Sequence, residues 1–251
     1  MVSAIDYFNT ANLIMQRVVL TELSHIRTSA QMIAKSILNE GIIQVFGTGH
    51  SEAFSAEIAR RAGGIVPANK ISLRDIVFFG EDHPSAILEA RVKLERDPSV
   101  SQRLYELSSP HQNDIFILAS NSGINPSVIE MARIVKAKGH KLIAVTSRRH
   151  SEQEASRHAS GKRLFELSDI TIDNGAPPGD AILEIANGTR VCAVSTLTST
   201  LIAEMMIAEL IGILEEAGHS VPIWISANLH GADEHNSLMQ QRYGSRVRRN
   251  A

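Results

Sequence analysis

Residues 42–64, IIQVFGTGHSEAFSAEIARRAGG, constrain the fold more than any other stretch. An apolar run of strand length ends in a glycine turn, and a helical pattern follows until Gly63 and Gly64. Strand, glycine turn and helix in that order present backbone N–H groups to an anion. The same alternation continues down the chain. Residues 114–119, 141–145 and 169–172 read as further strands, and residues 221–226 as a last one. Residues 52–62, 126–138, 151–167 and 190–217 read as helices, with Pro126 in a first turn where its missing N–H costs nothing. Residues 84–108 read as a helix charged on one side, and residues 76–79 as a short strand. Strands alternating with crossover helices imply an α/β fold with a parallel sheet covered on both faces.

Ahead of the first strand, residues 3–40 read as helix. Ile26, Ala30, Ile33 and Ile37 recur on one face, which either the main domain or a second chain must cover. The expected division is an N-terminal helical segment, residues 1–40, serving oligomerisation, and one α/β domain over residues 41–251.

A formal net charge of −2 gives no global basic field for nucleic acid or anionic lipid. Arg246, Arg248 and Arg249 are expected to form a solvated tail. Cys192 is the single cysteine, which excludes an intrachain disulfide, and its apolar run suggests a small buried hydrophobe. No apolar stretch reads as long and charge-free enough to cross a bilayer, and the N-terminus does not read as a signal peptide, so the expected location is cytoplasmic.

Ligands of open α/β sheets bind beyond the carboxyl ends of the strands. Three such loops carry glycine and hydroxyl groups: GTGHS, SNSGIN and Thr146-Ser147. Neutral N–H and O–H donors of this kind suit a phosphate. Neither GxGxxG nor GxxxxGK[ST] occurs, which disfavours dinucleotide and P-loop nucleotide sites, and Ser51 lies outside a GxSxG elbow.

FGTGHS with its helix, LASNSGINPSVIEMARIVKAKGHKLIAVTS, and VSTLTST opening a long helix resemble the sugar isomerase (SIS) domain family over residues 40–217. GHSEAFSAEIARRAGG, DNGAPPGDA and GADEHN together are similar to a bacterial phosphoheptose isomerase-like subgroup. The resemblance implies a three-layer, flavodoxin-like fold with a five-stranded parallel sheet, a homodimer or homotetramer, and a phosphosugar near the subunit interface. It places Gly49, Ser51, Ser120, Ser122, Asn125, Ser195 and Thr196 around the phosphate. It implies an aldose–ketose isomerase or a related proton-abstracting deaminase or lyase, the alternative being a non-catalytic phosphosugar sensor.

Isomerisation needs a base beside the carbonyl and a second group to open the sugar ring. Glu57 is the candidate base, although Arg60 or Arg61 could hold it in a helix ion pair. His50 lies in the first loop, His235 could act as ring-opening acid across a dimer interface, and Glu184 is a weaker carboxylate candidate. His83, His140, His158 and His219 read as structural or exposed. Phosphoheptose isomerases carry a His and, four residues later, a Glu that can bind zinc. Those positions are Glu57 and Arg61 here, so the zinc site does not carry over, and neither metal nor cofactor is expected.

Overall fold

The computed structural model describes residues 2–88 and 93–248. Helix α1, Ala4–Leu38, begins where the Ser3 hydroxyl accepts the Asp6 N–H at 3.2 Å. Strand β1, Ile43–Gly47, leads through a 3-10 turn at Gly49–Ser51 into α2, Glu52–Ile58. Only glycine fits at the end of β1, because a Cβ on Gly47 would lie 2.4 Å from the Ser51 carbonyl oxygen. Next come β2 (Ala68–Ile71), α3 (Asp75–Phe78), α4 (Ser85–Leu88) and α5 (Ser99–Ser108). Strand β3 (Ile115–Ala119), α6 (Pro126–Ala137), β4 (Lys141–Thr146), α7 (Arg148–Gln153) and β5 (Ile170–Asp173) complete the alternating part. A hairpin of β6 (Ala181–Glu184) and β7 (Arg190–Ala193) precedes α8 (Ser195–Glu216) and α9 (Ala232–Tyr243).

The main sheet has five parallel strands in the order β2-β1-β3-β4-β5. Alternate residues face opposite layers. Ile43, Val45, Ile115, Ile117, Ile143 and Val145 pack with α1, α2 and α8. Phe46, Phe116, Leu118, Leu142 and Ala144 pack with α5 and α6. The result is the expected three-layer α/β fold.

Several expectations need correction. The second outer strand is β2, not residues 221–226, where Ile223 forms a single antiparallel bridge with Ile65. Residues 76–79 fall largely in α3, because Asp75 accepts the Ser72 N–H and turns the chain into a helix. The helix expected over residues 84–108 is divided into α4 and α5, the part at 89–92 lying outside the described residues. The one expected over residues 151–167 stops at Gln153. The helix expected from residue 190 begins at Ser195, and Cys192 is exposed on β7 in a left-handed conformation. Helix α8 is long and apolar enough, by length and composition, to cross a membrane, contrary to the sequence reading. Here Ile202, Met206, Leu210 and Leu214 place one of its faces in the core.

The apolar stripe of α1 is covered by its own chain: Ile26 and Ile33 are fully buried in the same cluster as Ile202 and Met206. The arginines near the C-terminus are not a solvated tail. Arg246 pairs with the buried Asp114 carboxylate. Arg248 lies 3.4 Å from Asp75 and stacks over the Phe79 ring. Arg249 lies outside the described residues.

Candidate functional site

Gly47, Ile71, Ala119, Thr146 and Asp173 end the five strands on one edge, where the loops converge. In the first loop Gly49 adopts φ 57°, His50 is exposed and Ser51 half-buried. Glu52 lies 2.8 Å from Lys70 Nζ and accepts the Ser72 hydroxyl at 3.0 Å. Burial alone would raise its pKa, but Lys70, Ser72 and Arg74 outweigh it and hold the carboxyl below the usual Glu range.

The second loop is tied down from within. Ser120 Oγ accepts the Gly123 N–H at 3.1 Å, and the Asn121 carbonyl accepts the Ser147 N–H at 3.0 Å. Gly123 has φ 62°, and a Cβ there would lie 2.9 Å from both Thr146 Oγ1 and Ser151 Oγ. These constraints fix Ser122, half-buried, at the crest of the loop. Asn125 opens α6 in the N-cap position, but its side chain does not cap the helix. Its Oδ1 accepts instead from Arg157 Nη1 at 2.9 Å, which brings an exposed guanidinium to the start of α6.

Asn174, after β5, links three elements. Its Nδ2 donates to Asn121 Oδ1 at 3.0 Å and reaches Ser199 Oγ of α8 at 3.5 Å. At the start of α8, Asp180 accepts from Val194 N at 3.0 Å, Ser195 N at 2.7 Å and Ser195 Oγ at 2.6 Å. An internal carboxylate therefore occupies the donors of Ser195, and Thr196 is exposed beside it.

Glu57 lies six residues beyond Ser51, at the seam between α2 and α8. Arg61 Nε is 2.9 Å from Glu57 Oε1 and 3.3 Å from Glu204 Oε1. Burial pushes the Glu57 carboxyl above the usual Glu range, and the hydrogen bond and charge of Glu204 add to this while Arg61 opposes it. The ion pair expected with Arg61 is thus present, together with a second carboxylate.

The remaining candidates lie elsewhere. His235 Nε2 binds the Ile223 carbonyl at 2.9 Å, and Ile223 pairs with Ile65, ahead of β2 and away from the loops. Glu184 is exposed on the hairpin opposite Arg190. His140 is buried between Tyr105 Oη at 2.8 Å and the Asp114 carbonyl at 3.1 Å, and His158 pairs with Glu130. Among the described residues no three His, Cys, Asp or Glu side chains are grouped as metal ligands. A cleft of about 790 Å³ lined by His111, Arg242 and Arg246 lies at the opposite edge of the sheet. Sequence reasoning missed Arg157, Asp180 and Glu204, whose roles arise from contacts between distant segments.

Residues 6–147 match the family model for the SIS domain. A UPF0309 protein of Listeria monocytogenes is 35% identical over 244 residues, 97% of this chain and 98% of its own. A UPF0309 protein of Halalkalibacterium halodurans is 36% identical, covering 96% of this chain and 95% of its own. Among solved structures, a phosphoheptose isomerase from Francisella tularensis shares the fold with a TM-score of 0.57 at 15% identity, over 83% of this chain and 98% of that one. The Vibrio vulnificus NanR protein, solved with ManNAc-6P, shares it with a TM-score of 0.51 at 12% identity, over 95% and 69%. By sequence and by fold, the chain belongs to the SIS domain family.

Proposed function

We propose that the protein binds a sugar phosphate and moves a proton between carbons adjacent to its carbonyl, as an aldose–ketose isomerase does. The observation that carries this reading is the convergence of the glycine and serine loops at one edge of the sheet, with the Glu57 carboxyl on the helix that follows the first of them. The phosphate sits on the second loop, with the Ser122 hydroxyl and the N–H groups opening α6 as donors and Arg157 as counter-charge. Ser51 and the Gly49 N–H approach from the first loop. Ser120 and Asn125 shape the cradle, and Thr196 approaches from α8. Glu57 takes the proton from the carbon beside the carbonyl and, after partial exchange with solvent, delivers a proton to the neighbouring carbon of the enediolate, while the hydroxyl proton passes to the former carbonyl oxygen. A carboxyl of raised pKa is a stronger base than an ordinary one. Sugar phosphates are the ligands or substrates named for the NanR protein and the phosphoheptose isomerases that share the fold. His50 and a partner subunit's copy of residue 235 are the groups available for ring opening.

A second reading rests on the Arg61 ion pair, which neutralises Glu57 and would suit a sensor that binds without turnover. Incubation with aldose, ketose and amino-sugar phosphates in heavy water separates the two. Deuterium entering the sugar supports catalysis; binding by calorimetry without exchange supports the sensor.

The functional unit in this reading is a homo-oligomer. Leu13 and Leu20, seven residues apart on α1, are 67% and 82% exposed, and Leu197 is exposed on α8. A second copy of the chain is the occupant that removes this apolar surface from water, and α1 is the oligomerisation element.

A further inference from the structure

Glu204 was not among the residues expected to act, yet it shares a counter-ion with Glu57. Glu57 Oε1 and Glu204 Oε1 both lie within 3.3 Å of Arg61 Nε. One guanidinium thus serves two carboxyl groups of like charge: the pull of Arg61 is divided between Glu57 and Glu204, and the second carboxylate opposes the ionisation of the first.

We propose that Glu204 is the positioning residue for Glu57, sharing the Arg61 guanidinium with it across the α2–α8 seam and so limiting how far Arg61 neutralises Glu57. The inference rests on the catalytic reading of Glu57 given above. Glu57 as carboxylate takes the substrate's C–H proton, the C–H electron pair moves into the enediolate, the hydroxyl proton passes to the former carbonyl oxygen, and Glu57, its proton having exchanged with solvent in part of the turnovers, protonates the adjacent carbon. Glu57 ends with the proton count it began with, and no outside acid is consumed.

The surrounding charges leave this pairing intact. On α2, Glu52 is engaged by Lys70 of β2. On α8, Glu209 pairs with Arg27 of α1 at 3.1 Å. Strands β1 and β3 carry no ionisable side chain against α2, His50 lies on the preceding turn, and Arg60 points to the Trp224 ring. Glu204 is about half exposed, so substituting it removes little packing.

The test is a ¹³C NMR titration of the Glu57 carboxyl carbon in the full-length protein without substrate, with the resonance assigned through Glu57→Gln. In the wild type the midpoint lies above that of an ordinary Glu. Glu204→Gln keeps the shape, removes the charge, and moves the midpoint to lower pH. Arg61→Gln removes the counter-ion and moves it to higher pH, so the pair is tested from both sides even if one variant fails to fold. A Glu57 midpoint unmoved in either folded variant overturns the proposal. Deuterium exchange into a sugar phosphate is followed separately: its acid limb shifts downward in Glu204→Gln with the NMR midpoint. Absence of exchange in the wild type would count against the catalytic reading alone, since the titration needs no substrate.

Discussion

Asp180 holds both donors of Ser195, the hydroxyl at 2.6 Å and the backbone N–H at 2.7 Å, from a left-handed position with φ 71°. The carboxylate does for α8 what an N-cap side chain does, from outside the helix. Asp180→Ala is expected to cost about 1–2 kcal/mol of stability, the range for loss of a helix cap. Urea unfolding followed by circular dichroism measures it. An unchanged midpoint would mean that solvent replaces Asp180 at no cost.

The sugar phosphate reading places the charge recognition on Ser122 and Arg157. Ser122→Ala and Arg157→Gln are each expected to weaken sugar phosphate binding by about 1–3 kcal/mol, the range for a hydrogen bond to a charged group. Calorimetry with the phosphorylated and free sugar checks this. Equal affinity of the wild type for both forms refutes a phosphate site.

Glu57→Gln preserves shape while removing the basic lone pair. Turnover and deuterium exchange are expected to fall about 10²–10⁴-fold, as for loss of a positioned base, with affinity changed only a few-fold. Undiminished exchange in this variant would falsify the assignment.

The two faces of α1 give opposite expectations. Ile33→Asp places an unpaired charge in the core and should unfold the chain. Leu13→Asp with Leu20→Asp alters exposed positions, and should leave the circular dichroism spectrum unchanged while reducing the particle mass in light scattering. A wild type that is already monomeric at micromolar concentration rules out the oligomer.

His140 makes stability depend on pH. Burial holds its pKa below the ordinary His value of 6.5, despite the Asp114 carbonyl and charge. The folded state therefore disfavours the protonated ring. Its contribution is fully present above the unfolded value and is lost as pH falls from there through the lower folded value. Urea midpoints should drop on acidification through this window, ahead of the more acidic range where Glu52 and Asp169 lose their charge. His140→Gln should flatten that first step.

The legible parts of the chain were those whose signal is local. β1, β3, β4 and β5 are apolar or nearly so and stood out in the sequence. β2, with the sequence ANKI, did not, because Asn69 donates to Gln44 at 2.9 Å and Gln44 to Asp114 at 3.0 Å in a buried polar chain across the strands. Residues 221–226 looked like a better strand, being more apolar, but serve to cover Val66 and the C-terminal segment. The β6–β7 hairpin had a local signal, Asn187-Gly188, obscured by an apolar run that continues into α8. At the site, the glycine and serine loops could be read directly. Arg157, Asp180 and Glu204 could not, since each acts on a residue that only the fold brings near.

Helix α1 touches both ends of the sheet. Near its start Tyr7 Oη donates to the Ala193 carbonyl and Arg17 to that of Gly175, and at its end Ser36 Oγ donates to Asn113. At 35 residues it is about 52 Å long, at ~1.5 Å per residue. Such a member works as a rigid strut bolted to opposite rims of the sheet. It opposes hinge motion between the layers, so adjustment to a ligand falls to side chains and short loops. In the oligomer proposed above, a second copy docked on the exposed leucines of this strut is tied through one helix to the loops beyond β5.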